Sequence, residues 1–327
     1  MEGLLVKDNL WSPEGHIITD TRLIQLLKSK TVERLKWIGQ NGPLNHYPSP
    51  DGIVSPTSRY DHSVGAMILT LKIGGTNDEA IAALLHDIIH TAFSHAFDFI
   101  VQSAAISYHE TQKDRLLDQF SDELQDILGP NWKRYLNEKK WPLIKKNNPF
   151  AIDIADYTVR DGVAFNLCTR EEARERMIDL YIDQETRHLK SKTYETSIWW
   201  SMLSEKTNGL IYTTPWNYAM NHYIASALKE LVERNLIDID ILEKVPYKNI
   251  EIDTWQMALK TEYGQMLQIV HTKKWEFFPL DRKNMSGYVD IGEFDVRMRV
   301  VKPPVMFENT ISYPTTIEKY ILAYRSQ

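Results

Sequence analysis

The stretch ALLHDIIHTAFSHAFD, Ala83 to Asp98, decides how this chain is read. It sets His86, Asp87, His90, His95 and Asp98 behind an apolar run with the character of a buried helix. In a continuous helix His86 and His90, four residues apart, share one face. Adjacent His86 and Asp87 point about 100° apart, so both reach one ion only if it sits near the helix end. Imidazole plus carboxylate, with no thiol nearby, suits a borderline or hard divalent cation. A lone histidine on an apolar face is more often a satisfied core residue. Here five of the ten histidines (His62, His86, His90, His95, His109) fall between positions 62 and 109, which favours a metal site.

HDIIH is similar to the HExxH pattern of zinc hydrolases, but its acid is one methylene shorter and a third protein ligand must come from elsewhere. The flanking segments supply it. Upstream, Ser58 to Gly65 reads SRYDHSVG; downstream, Asp153 to Asp161 reads DIADYTVRD. The order His62, then His86-Asp87, then Asp153 resembles the HD-domain phosphohydrolase superfamily. RYDHSVG, HDIIHTAFSHAFD, YHE (residues 108–110) and DIADYTVRD together look like its deoxynucleotide triphosphohydrolase branch, the sterile-alpha-motif-and-HD-domain type. The resemblance runs from about Ile17 to Leu167.

That resemblance implies roles. His62, His86, Asp87 and Asp153 would hold a divalent metal (Fe, Mn, Zn or Mg), with a second Mg arriving with the substrate. His95, oriented by Asp98 and close to His109 and Glu110, would move protons to the leaving 5′-oxygen, and His90 would touch phosphate or a second metal. Tyr157 and Asp161 would hold the sugar. Gln40-Asn41 matches a Gln-Leu pair that contacts the sugar in the family; its bland reading is helix C-capping. Arg59, one turn before His62, is a candidate phosphate clamp, its guanidinium fork matching phosphate oxygens; the bland reading is a surface pair with Asp61.

Three departures bear on the substrate. Asn41 replaces the Leu that excludes a ribose 2′-OH, so deoxy selectivity is expected to be weak. Ile154 replaces a phosphate-binding Lys next to the metal Asp. Ile89, Thr91 and Ala92 replace Gly, Gly and Pro, which makes the backbone after the helix less permissive.

The rest of the chain sets bounds. Its 327 residues, 43% hydrophobic and 25% charged, are those of an ordinary globular protein with ample core. No window approaches ~20 consecutive apolar residues, so no membrane span is expected. The start lacks the pattern of a signal peptide, and the single Cys168 allows no internal disulfide, which together point to a cytoplasmic protein. A net charge of −6 argues against nucleic acid as a partner. The basic run Lys133, Arg134, Lys139, Lys140, Lys145, Lys146 reads as a solvated face.

Capping and periodicity predict helices over Leu23–Leu27 (capped by Asp20 or Thr21), Thr31–Ile38, His62–Lys72, a helix from Asn77 or Asp78 to the metal motif, Thr111–Leu128, Pro149 through Asp161, Glu171–Ile182 (opened by a Thr169–Glu172 capping box), Trp216–Arg234, Trp255–Thr272 and Thr316–Tyr324. Phe294 to Val300 alternates as a half-buried strand.

The expected fold is mainly α: an HD-domain helical bundle over residues 1–240, with a small C-terminal α+β portion over 241–327 as a candidate assembly surface for a homo-oligomer. The expected function is a metal-dependent phosphohydrolase acting on a nucleotide substrate, releasing nucleoside and triphosphate from a (d)NTP. Two alternatives stand beside it. One is an HD nucleotidase or phosphodiesterase for nucleoside monophosphates or cyclic nucleotides, favoured by Ile154 and Asn41. The other is a nucleotide-binding regulator with lapsed catalysis, against which the full set of ligand and proton-transfer residues argues.

Overall fold

The computed structural model describes residues 3–97, 108–144, 150–280, 285–298 and 316–325. The chain starts with an antiparallel hairpin of β1 (Leu4–Asp8) and β2 (Ser12–Ile18), which the sequence reading did not anticipate. Asp8 shapes its tip by accepting from the backbone N–H groups of Leu10 (3.1 Å) and Trp11 (2.6 Å). Asp20 caps α1 (Thr21–Leu27), as expected. Ser29 then caps a one-turn α2 (Lys30–Glu33), and the chain tightens into a 3₁₀ turn over Arg34–Trp37 where a single helix to Ile38 was expected.

Two helices set the position of the site. α3 (Arg59–Lys72) begins at Ser58 with a capping box: the Ser58 hydroxyl accepts from the Asp61 N–H, and the Asp61 carboxylate accepts from the Ser58 N–H. α4 (Asn77–Leu85) packs against α3 after the short turn Ile73–Thr76. Its cap is Thr76 rather than Asn77 or Asp78. Thr76 and Glu79 satisfy two orphan donors reciprocally, whereas a cap at Asn77 or Asp78 has no Glu or Gln three residues on.

The expected helix Thr111–Leu128 is three short ones: α5 (Tyr108–Thr111), α6 (Lys113–Asp118) and α7 (Ser121–Leu128), the last stopped by Gly129 at φ +81°. α8 (Ile152–Ala164) carries Asp153, Tyr157 and Asp161 and packs beside α3. Gly65 makes that approach possible, because a Cβ there would lie 1.7 Å from Arg160 Nη2. Pro149 lies outside the described residues.

The Thr169–Glu172 capping box starts α9 (Arg170–Ile178) as read, but the chain beyond turns into a hairpin of β3 (Leu180–Ile182) and β4 (Leu189–Ser191). α10 (Tyr194–Thr207) runs into a π-helical turn, Asn208–Tyr212, and then α11 (Pro215–Glu233). α12 (Ile239–Lys244), α13 (Ile250–Ala258) and α14 (Gly264–Ile269) follow, so the expected helix Trp255–Thr272 is broken between Leu259 and Tyr263. Gly264 packs onto the Leu259 carbonyl at that break, where an added Cβ would come within 2.1 Å.

A three-stranded antiparallel sheet closes the described chain, in the order β5 (Trp275–Phe278), β7 (Thr316–Arg325), β6 (Tyr288–Met298). The strand expected around Phe294 is β6, with Val300 outside the described residues. The helix expected at Thr316–Tyr324 is instead the central strand β7. Leu322 faces the main core while Ile321 and Ala323 face a second cluster with Phe278. A strand buried on both faces reads as an unbroken apolar run, which periodicity cannot separate from a buried helix. The fold is mainly α with small sheets, and the main core runs from Leu10 and Trp11 through the helices to Trp275 and Leu322. No helix of the described residues is long and apolar enough to cross a membrane.

Removing the α3 cap tests how firmly this frame is held. Ser58→Ala is expected to lower stability by about 1 kcal/mol, read as a lower urea midpoint, without loss of bound metal. An unchanged midpoint would mean that packing alone starts α3.

Candidate metal centre

Four side chains from three helices converge. His62 lies in the first turns of α3 and has no exposed surface. His86 is the C-cap of α4, Asp87 follows it, and Asp153 sits in the first turn of α8. Because α4 stops at Leu85, neighbouring His86 and Asp87 both turn inward, the helix-end geometry that their adjacency requires. The expectation that His86 and His90 share a helical face fails for the same reason. Residues 86–89 form turns, and the His90 N–H bonds to the Asp87 carbonyl at 3.1 Å.

His62 Nε2 stands 3.1 Å from His86 Nε2 and 3.1 Å from Asp153 Oδ1. His86 Nε2 is 3.5 Å from Asp153 Oδ1 and 3.5 Å from Asp87 Oδ1, and His62 Nε2 is 3.7 Å from Asp87 Oδ2. Donors about 2.1 Å from one ion lie ~3.0 Å apart at right angles and ~4.2 Å apart across it; ligand atoms of His62, His86 and Asp87 all lie within 4.8 Å of one another, which fits a single cation, with Asp153 beside the two imidazoles. Tautomers agree. His62 Nδ1 meets Asp156 Oδ2 at 2.7 Å and His86 Nδ1 meets the Ala83 carbonyl at 2.6 Å. Each Nδ1 must carry the proton to make its bond, which turns both Nε2 lone pairs toward the same point. Two such lone pairs at 3.1 Å repel unless positive charge lies between them.

The electrostatics point the same way. Burial opposes ionisation of Asp87 and Asp153, yet the facing imidazoles, and Arg59 at Asp87, hold both well below the usual carboxylate range. Burial likewise disfavours a charged His62, but Asp153 and Asp156 outweigh it and push that imidazole up to about 10. The cluster draws in a positive charge, and a divalent ion among the same atoms supplies it without a proton. Asp153, 16% exposed, is the most open of the four, so access is from the α8 side.

Arg59 is buried rather than on the surface. It donates to Asp87 (2.6 Å), to the Ser94 hydroxyl (3.0 Å) and to the Gln40 carbonyl (3.2 Å), while Asp61 serves the α3 cap. His90 Nε2 lies 3.3 Å from Asp87 Oδ1; burial first and Arg59 second lower its pKa to about 3, so the ring is neutral. His95 is exposed, its ring 5.2 Å from that of His90. Asp98 lies outside the described residues, as do the side chains of His109 and Glu110 on α5.

The loop carrying His95 departs from expectation in where its tight backbone falls. Left-handed φ occurs at Phe93 (+60°) and Ser94 (+48°), not at Ile89 or Thr91, the positions of the missing glycines. Each such residue costs roughly 1–2 kcal/mol, and Glu251 on α13 offsets it. Its carboxylate accepts from the Phe93 N–H and the Gly39 N–H (3.0 Å) and pairs with His46 Nε2 at 2.7 Å. Ser94 donates to the Gly39 carbonyl at 2.6 Å.

Along α8, Tyr157 and Asp161 follow Asp153 on one face. Asp161 accepts from Asn41 Nδ2 at 2.7 Å and from the Tyr212 hydroxyl. Asn41 also donates to Ser55 Oγ at 3.0 Å, so its side chain links α8 to the Ser55 segment rather than capping a helix C-terminus. Gln40 is buried nearby. The sequence reading missed Tyr212, which comes from the π-helical turn, and gave no role to Asp156 or Glu251. An Asp156–Arg160 pair at i, i+4 was the one available signal; Tyr212 and Glu251 had none.

The profile of the HD domain matches residues 59–161. The chain is 28% identical over 286 residues to the metal-dependent phosphohydrolase cns2 of Cordyceps militaris, covering 85% of this chain and 79% of that one. It is 32% identical to the uncharacterized protein YdhJ of Bacillus subtilis, over 71% of each. A phosphohydrolase from Bacteroides thetaiotaomicron, BT4208, of known crystal structure, superposes over 100% of both chains with a TM-score of 0.64 at 16% identity, which speaks to the fold.

Two substitutions separate the centre from its supports. Asp87→Ala is expected to abolish stoichiometric binding of Mn or Zn, measured by elemental analysis after dialysis, while far-UV circular dichroism stays near wild type. Full metal content in that variant would remove Asp87 from the ligand set. Glu251→Ala leaves the Phe93 N–H unpaired, at a cost of about 1–3 kcal/mol, and is expected to lower kcat with metal content unchanged. Equal kcat in the two forms would mean that the loop holds itself.

Proposed function

This chain belongs to the HD-domain superfamily of metal-dependent phosphohydrolases, and from that premise we propose that its substrate is a nucleotide, cleaved at the phosphorus seated over the four-donor centre. One observation carries the nucleotide reading. Tyr157 and Asp161 lie about 6 and 12 Å along α8 from Asp153, in a polar wall that Asn41 and Tyr212 complete, and that wall can hold a sugar beside the phosphate.

His62, His86, Asp87 and Asp153 would hold the ion, which when bound supplies Lewis-acid polarisation of a phosphoryl oxygen. Arg59 keeps Asp87 ionised and oriented. His95, exposed, delivers a proton to the leaving oxygen, and neutral His90 lies between it and Asp87. Tyr157 and Asp161 orient the sugar.

The motif order supports a (d)NTP triphosphohydrolase releasing nucleoside and triphosphate. A second reading, hydrolysis of nucleoside monophosphates, is favoured by the engagement of the buried arginines. Arg59 is held by Asp87, Arg160 by Asp8 and Asp156, and Arg34 by backbone carbonyls, while Ile154 adds no charge. Asn41 gives the sugar wall a polar edge, so ribonucleotides are substrates alongside deoxyribonucleotides in either reading.

Product analysis decides. Metal-loaded protein with matched dNTP, NTP and NMP sets is expected to release tripolyphosphate, identified by phosphorus NMR. Orthophosphate from monophosphates alone would install the second reading, and turnover of non-nucleotide esters only would sink both. His95→Ala should lower kcat by roughly 10²–10⁴-fold with metal content retained; loss of the metal would put His95 in the coordination sphere.

A further inference from the structure

Asp156 belongs neither to the four converging donors nor to the sugar wall, yet one buried carboxylate ties three elements together. Its Oδ2 meets His62 Nδ1 at 2.7 Å and accepts from Arg160 Nε at 2.8 Å. Its Oδ1 accepts from the Trp11 indole N–H at 2.6 Å and from Arg160 Nη2 at 2.8 Å. Arg160 also donates to Asp8 Oδ2 at 2.9 Å, and the other Asp8 oxygen holds the backbone of the hairpin tip. All five side chains are buried. On α3, one turn past His62, Gly65 leaves them room: a Cβ there would lie 2.4 Å from Asp156 Oδ1.

We propose that Asp156 is the positioning residue for His62, and that the tip of the β1–β2 hairpin, through Asp8 and Trp11, keeps that carboxylate aimed. The hairpin is then a working part of the metal centre.

Arg160 alone would neutralise Asp156, and the His62 N–H would face an ion pair without net charge. Asp8 takes a share of the guanidinium, so two carboxylates oppose one cation and a net negative charge remains against His62 Nδ1. A ligating imidazole whose other N–H donates to a carboxylate has a fixed tautomer and is the more basic donor. Trp11 occupies Oδ1 and so directs Oδ2 at the imidazole. His86 lacks this support, since its Nδ1 meets a neutral carbonyl, which makes His62 the stronger of the two nitrogen donors.

The inference rests on the metal-centre reading above, and the test separates the two. Full-length protein stripped with a chelator is titrated with Zn²⁺ against a competing fluorescent chelator to give Kd, and the unfolding midpoint of the metal-free form is measured in parallel. Asp156→Asn is expected to raise Kd by about 10–100-fold, and Asp8→Asn and Trp11→Phe to raise it by smaller factors. Asp20→Ala, which removes the α1 cap, should lower the metal-free midpoint and leave Kd alone. If Asp156→Asn or Asp8→Asn fails to fold, Trp11→Phe, which keeps the buried ring and deletes one hydrogen bond, decides the role of the hairpin. Wild-type Kd in variants whose metal-free midpoint falls would make the cluster structural and overturn the proposal alone. A wild type that binds no divalent ion would overturn the proposal and the centre together.

Discussion

Two imidazole nitrogens with their lone pairs turned toward each other at 3.1 Å, flanked by two ionised carboxylates, are the constraint around which this fold is built. Such a group is stable in a buried place only with positive charge among its members and firm partners behind each. The architecture meets both demands. α4 ends one residue before His86, so adjacent ligands can diverge from the helix direction and meet at one point. α8 comes close enough to α3 to bring Asp153 to His62 because Gly65 has no side chain at the crossing. Behind the ligands stand a carboxylate for His62, a carbonyl for His86 and a guanidinium for Asp87.

The loop beyond the ligands obeys a second rule, that segments distant in sequence hold what the local sequence leaves strained. No glycine sits at the left-handed positions Phe93 and Ser94; Glu251 fastens the first and Gly39 the second. Arg34, buried, donates to the carbonyls of Ile88, His90, Glu243 and Lys244. Burial without a carboxylate partner lowers its pKa to about 9, and four carbonyl dipoles stand in for the water it gave up. The turn after His86-Asp87 is thus clamped from α13 on one side and from the 3₁₀ turn after α2 on the other, and the clamp on α13 ties the C-terminal elements to the exposed His95.

Legibility from sequence followed range. His62, His86, Asp87 and Asp153, which the fold brings together, were named from the order of their motifs along the chain, and it was the resemblance to HD-domain proteins that made that order readable. The caps at Asp20 and Thr169 were legible because a cap is a relation over three residues. Even there, Thr76 was passed over for Asn77 or Asp78, since one polar residue counts for less than the reciprocal pair that Thr76 forms with Glu79. Strand β7 and the broken helices around Gln112 and Gly264 were misread, because a run buried on both faces has no period and a short break leaves the period almost intact. Trp11 to Asp156, Phe93 to Glu251 and Asp161 to Tyr212 are contacts across 145, 158 and 51 residues, and nothing in the local pattern marks them.

Net charge and site geometry meet in the last step. The chain carries −6, its site concentrates further carboxylates, and the buried arginines beside it, Arg59 and Arg160, each face at least one of them. A phosphate therefore finds little attraction in the side chains themselves, and the field of the whole molecule opposes its approach. A cation held among His62, His86, Asp87 and Asp153 would supply docking charge as well as Lewis acidity, since the surrounding carboxylates leave negative charge in excess. Substrate affinity and metal occupancy then become one quantity. The buried arginines keep Asp87 and Asp156 ionised, the charge states that an ion bound there, and through it a phosphate, would need.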